Sequence, residues 1–267
     1  MLGKLKSGDH LLILSPHLDD AVLSVGGIME RAAEDGIAVA VGTIFTADAN
    51  YALASSARVK ALHALWGLGD NPSVVRREED IAAVKLLGSD YIHGDMLDAI
   101  YRTDSGGEAL YATTGAVFSE PSPKDQVWLP LRSLLEEWLT ALKPSVVLCP
   151  LAVGRHVDHV ITSEAFRGAQ FTAKPDIFLY EDMPYSAGFF PPELPDTVQG
   201  AISRSNWEVG ASVTVSVHTE KKIAAIMKYK SQLPDIFPHG RSVERELKRY
   251  ILLGSHDGFR ERLWTAR

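Results

Sequence analysis

Apolar residues along this chain come in two alternating patterns. Leu11–Ser15 is a short continuous apolar run, and the segment from Asp20 to about Asp35 carries apolar residues at helical spacing. Ala38–Thr46 is a second run, rich in β-branched residues, followed by helical patterns over Ser55–Leu65 and Glu78–Leu87, with Gly88 as a stop. A short strand is expected at Tyr91–His93, a helix over Val127–Leu142 and a strand at Ser145–Cys149. Further on, Ala211–Val217 reads as a strand, and Glu220–Gln232 and Val243–Leu253 read as helices. Buried strands alternating with amphipathic helices predict an α/β fold, with a mostly parallel sheet and helices on both faces. Nothing marks a second boundary, so residues 1–267 are expected to form a single Rossmann-like domain. Two stretches break the rhythm: 101–125, rich in Ser, Thr, Gly and Pro, and 183–195, with four prolines, Tyr185, Phe189 and Phe190. They are expected as loop insertions, the longer kind that forms lids or binding walls or simply decorates the surface.

Composition narrows the function. With 46% hydrophobic and 23% charged residues, the chain has ample material for a core. Its net charge of −7 is spread out and there is no Lys/Arg block, which argues against a nucleic-acid partner. The N-terminal apolar stretch is too short for a secretory signal, and no window approaches the roughly 18 apolar residues of a membrane span. The expected location is the cytoplasm. The single cysteine, Cys149, sits in an apolar run and reads as a small buried residue. A metal would have to be held by His and Asp.

Candidate chemistry lies at two strand ends. Ser15-Pro16-His17-Leu18-Asp19-Asp20 follows the first strand, where open parallel sheets bind ligands, and Pro16 ends the ladder. In a tight turn His17 and Asp20 can converge on one cation while Asp19 points elsewhere. Asp20 also suits an N-cap of the helix that begins there. Pro150–Arg155 and then His156-Val157-Asp158-His159 follow the strand at Ser145–Cys149, again at a strand end before a helix. His17, Asp20 and one of His156 or His159 would make a three-ligand N/O site with a position left for water, as in catalytic zinc centres. The spacing leaves open which histidine binds.

The two motifs together resemble the PIG-L/LmbE-like N-acetylglucosaminyl deacetylases, marked by a His-Pro-Asp-Asp-Glu type motif after the first strand and a later His-x-Asp-His. Here they stand as His17-Leu18-Asp19-Asp20-Ala21 and His156-Val157-Asp158-His159. Arg76–Asp80 leading to Leu87-Gly88, Tyr180–Tyr185 and Lys228–Gln232 are also similar, so the resemblance spans residues 10–235. Leu18 and Ala21 depart from the pattern, replacing a proline and an acidic residue.

The resemblance implies a small-molecule amino-sugar substrate that loses an N-acyl group, acetyl foremost. It implies one Zn2+ per chain, or another divalent ion such as Fe2+, held by His17, Asp20 and His159. Asp19 would be the general base, a protonated His156 the electrophile or acid, and Asp158 the carboxylate that orients the His156 ring. Arg76 and Asp98 are candidate sugar contacts; a solvated helix charge is the plainer reading of Arg76. Trp207 reads as core or rim. Three alternatives compete: an amidase on a thiol-sugar conjugate, a magnesium-dependent phosphohydrolase or phosphoacceptor using Asp19-Asp20, and a carbohydrate-binding scaffold with a relic site. The magnesium reading leaves the three histidines idle.

Overall fold

The computed structural model describes residues 5–49, 57–69, 71–172, 174–238, 241–252 and 259–267. Strands β1 (His10–Ser15), β2 (Ala38–Thr43), β3 (Asp90–His93), β4 (Val146–Pro150), β5 (Asp176–Tyr180), β6 (Val209–Val217) and β7 (Phe259–Ala266) form one sheet in the order β3-β2-β1-β4-β5-β7-β6. The five strands from β3 to β5 are parallel, and β7 and β6 extend the sheet antiparallel. This is the mostly parallel sheet that the alternation predicted.

Period-two side chains feed two cores. Leu11 and Ile13 of β1 pack with helices α1 (Asp20–Glu34), α3 (Pro72–Leu86) and α8 (Glu220–Ile226), whereas Leu12 and Leu14 face α5 (Trp128–Leu142) and α6 (Val157–Arg167). Cys149 is buried in the second cluster. Neither face of β1 meets water, which is why its sequence is a continuous apolar run.

Boundaries shift where tertiary contacts override local pattern. Helix α3 starts at Pro72 rather than Glu78, because proline suits the first helical turn. The helix expected over Glu220–Gln232 stops at Ile226, since Tyr229 donates to Asp80 and Ser231 to Glu79, drawing the chain onto α3. Residues 55, 56 and 253 of the expected helices lie outside the described residues.

Helix α1 is interrupted at Val25, whose φ is −130°. The amides of Gly27 and Ile28 donate instead to the two carboxylate oxygens of Glu261 at 3.0 and 2.8 Å. Lys222 Nζ closes the arrangement at 2.6 Å, with both side chains buried. Gly27 is needed there because a Cβ would stand 2.6 Å from Val217. This buried pair ties α1, α8 and β7 together beneath the first motif. Lys222→Met should destabilise the protein by about 3–5 kcal/mol, the cost of leaving a buried charge without its partner. Equilibrium urea unfolding measures it, and a loss within the roughly 1 kcal/mol of a surface pair would contradict the account.

Candidate metal centre

In sheet order, β1 is followed in the chain by β2 on one side, whereas β4 pairs on its other side. Such a reversal opens a crevice at the carboxyl ends of the two strands. The His17–Asp20 turn leaves β1 and the His156–His159 turn leaves β4, so the two motifs meet in that crevice.

Asp20 Oδ2 lies 3.1 Å from His17 Nδ1 and 3.2 Å from His159 Nε2. Donor atoms sharing one ion through bonds of about 2.0–2.1 Å stand roughly 3 Å apart, as each of these two pairs does, and His17, His156 and His159 offer nitrogens that all lie within 4.8 Å of one another, so the two turns bring together side chains able to hold a cation. His159 Nε2 is fully buried and has no hydrogen-bond partner among the described residues, as a ligand nitrogen aimed at an ion should be. Each ring is braced from behind. His17 Nε2 meets Asp158 Oδ2 at 3.0 Å, and His159 Nδ1 meets Asp182 Oδ1 at 2.7 Å. A carboxylate behind the imidazole fixes the tautomer that leaves the other nitrogen free for metal. Two imidazoles with a carboxylate favour zinc or iron over magnesium, which prefers oxygen donors.

The electrostatics agree with this donor set. Burial alone disfavours protons on both rings. Asp158 and Asp20 outweigh it at His17, raising its pKa well above the ordinary value, and Asp20 and Asp182 push His159 up to about 9. Against its own burial, Asp20 is held well below the usual carboxylate range by His159 and His17.

Asp19, the N-cap residue of α1, makes no capping side-chain bond, and the Asp20 carboxylate turns back to accept from the His17 amide at 2.8 Å. Asp20 is therefore not the N-cap that its position allowed. Burial, then the neighbouring Asp20, raises Asp19 to about 7, opposed by Arg76, whose guanidinium lies 4.0 Å away. Arg76 is no solvated helix charge: its side chain is 11% exposed and stacks over the Trp66 ring at 5.0 Å. Asp98 Oδ2 stands 3.8 Å from His17 Nε2.

His156 differs from the expectation in two ways. The Asp158 carboxylate turns away from its ring toward His17, and His156 Nδ1 accepts from the Asp158 backbone amide at 3.2 Å. Burial first, then His17, pushes its pKa well below the ordinary value. With Nδ1 accepting from an amide, Nε2 is the ring nitrogen left to carry a proton.

His17, Asp19, Asp20, Arg76, Asp98 and His156 line a cavity of about 670 Å³. Phe118, Tyr185, Phe190, Pro191, Trp66 and Pro234 also line it. The 183–195 stretch thus supplies a wall. Gly154 takes φ +86°, and a Cβ there would stand 2.5 Å from Tyr185. Trp207 lies elsewhere, buried against Phe166 with its Nε1 donating to Ser163.

Asp182, Arg102 and Tyr185 were not among the sequence candidates. Asp182 stands two residues beyond β5, and reading Asp176–Tyr180 as a strand would have placed it at a strand end like the other two motifs.

Imidazoles and carboxylates gathered at two strand ends are the donor types that metal-assisted hydrolysis uses. The chain belongs to the PIG-L family: residues 12–170 match the family described as GlcNAc-PI de-N-acetylase. It is 29% identical over 233 residues to the 2'-N-acetylparomamine deacetylase of Streptomyces fradiae, covering 87% of this chain and 76% of that protein. The fold superimposes on the zinc-inhibited form of teicoplanin deacetylase Orf2 with a TM-score of 0.81 and 29% identity, covering 97% of this chain and 98% of that one. The A40926 pseudoaglycone deacetylase Dbv21 gives 0.74 and 28%, covering 98% of both chains. The protein is a deacetylase of the hydrolase class. No helix among the described residues is long and apolar enough to cross a membrane.

Because neighbouring carboxylates raise the pKa of His17 and bring His159 up to about 9, cation binding at these nitrogens should release about one to two protons near pH 7 and weaken as pH falls. Calorimetric titration in buffers of different ionisation enthalpy counts them, and binding without proton release would contradict the assignment.

Proposed function

We propose that the protein removes the acetyl group from an N-acetylated amino sugar that is part of a larger glycoside, using a zinc ion held by His17, Asp20 and His159. The observation that carries this reading is Asp20 Oδ2 within 3.1 Å of His17 Nδ1 and 3.2 Å of His159 Nε2, with Asp19 beside them. When bound, the ion supplies Lewis acidity toward the amide carbonyl and toward water.

The chain's own groups do the rest. The Asp19 carboxylate takes a proton from the attacking water as the water oxygen bonds to the acyl carbon. An ordinary aspartate is too weak a base for this near neutral pH; one raised to about 7 both accepts and returns a proton. His156 Nε2–H donates to the carbonyl oxygen as it gains negative charge. The carbon–nitrogen bond then breaks, Asp19 hands its proton to the departing nitrogen, and acetate and a free amine result. Arg76 and Asp98 line the same cavity, which supports a role for them in binding sugar hydroxyls.

The size and walls of the cavity support a glycoside over a free sugar. A space of about 670 Å³ exceeds one pyranose, and the aromatic and proline side chains around its mouth offer apolar surface to an aglycone. The similar proteins are named as deacetylases of 2'-N-acetylparomamine and of teicoplanin.

Acetate release from free N-acetylglucosamine and from its methyl, aryl and octyl glycosides, with and without a chelator, tests this. Chelation should abolish turnover, and the aryl and octyl glycosides should give the higher kcat/KM. Asp19→Asn should keep one equivalent of zinc and lose roughly a hundred- to ten-thousand-fold in kcat. Asp20→Ala should lose the zinc. The reading fails if Asp19→Asn binds no zinc while Asp20→Ala does, or if chelation changes nothing.

A further inference from the structure

The Asp158 carboxylate that braces His17 is itself held by a group from the 101–125 stretch. Arg102 Nη2 lies 2.6 Å from Asp158 Oδ1, its Nε donates to Asp125 at 3.0 Å, and Nη1 donates to the Leu97 carbonyl at 3.0 Å. The guanidinium is buried between the rings of Phe45 and Tyr111, at 5.1 and 5.3 Å. Tyr111 Oη donates to Asp125 at 2.8 Å, so Asp125 is aimed by the same segment. Asp158 Oδ2 takes one further bond, from the Ala99 amide at 2.9 Å.

The structure assigns Arg102 as a positioning residue for the metal centre: through Asp158 it fixes the His17 ring, so that the 101–125 segment sets the protein's affinity for its cation. The inference rests on His17 being a ligand, as proposed above. Asp158 is completely buried, and a buried carboxylate that loses its cationic partner swings toward other donors or water. That movement loosens the bond to His17 Nε2 and with it the aim of Nδ1. Outer partners of this kind typically tune metal affinity by about ten- to a hundredfold. Asp125 supplies a second carboxylate, so the buried guanidinium faces Asp158 as an ion pair and donates to Asp125 through Nε. Lysine at 102 would keep the charge beside Asp158 and lose the span to Asp125.

The test uses full-length protein stripped with a chelator and titrated with zinc against a chromophoric competitor, alongside the melting temperature of the cation-free form. R102Q should bind zinc at least tenfold more weakly than the parent, and R102K should recover most of that loss. A folded R102Q with parental zinc affinity would overturn the assignment, as would equal losses in R102Q and R102K. A purely structural arginine would lower both variants' cation-free melting temperatures and leave zinc affinity unchanged, which also counts against it. Failure of His17→Ala to lose zinc would sink the underlying ligand set instead, so the two ideas fail separately.

Discussion

Putting Asp20 between two imidazoles is the constraint around which this molecule is arranged. A carboxylate buried at the base of a crevice is costly unless positive charge faces it. His17 and His159 supply it in the cation-free protein, and a divalent cation does the same more strongly. Each imidazole needs a partner for its other nitrogen, which brings in Asp158 and Asp182. Those carboxylates are buried in turn and draw on Arg102 and on the amides of Ala99 and Val153. The polar network ends only where it reaches compensated charge or backbone.

The sheet makes that network possible by bringing three strand ends together. β1 contributes the His17–Asp20 turn, β4 the His156–His159 turn, and β5 leads into Asp182. The β5 end is anchored by Glu181, which accepts from Arg262, Tyr250 and Trp264. The antiparallel strands β7 and β6 therefore stabilise the segment that carries Asp182, although they contribute no group to the crevice. Asp19 stands apart from this scheme. Its burial is opposed by little except Arg76, which leaves it poised to exchange a proton.

Much of this was legible in the residues because the site is built from local motifs at strand ends. The apolar runs located β1, β2 and β4, and chemistry at strand ends follows from the geometry of parallel sheets. What escaped was non-local. β7, reading Phe-Arg-Glu-Arg-Leu-Trp-Thr-Ala, hides behind its charges, which become intelligible only once Glu261 meets Lys222 and Arg262 meets Glu181. The direction of the Asp158 side chain was also hidden. Sequence proximity pointed it at His156, but a helix start turns the two side chains apart, and His17, 141 positions away, is its partner. Arg102 sat in a stretch read as a loop insertion that could form a lid, a wall or mere surface decoration, and its contact with Asp125, 23 positions further on, was not legible in the spacing.

The most direct check of the account is an anomalous difference map from a crystal of the protein supplied with zinc. The account predicts one dominant peak bonded to His17 Nδ1, Asp20 and His159 Nε2, with Asp19 outside the coordination sphere. A peak held instead by Asp98 and Asp158, or by Asp19 in place of Asp20, would contradict it.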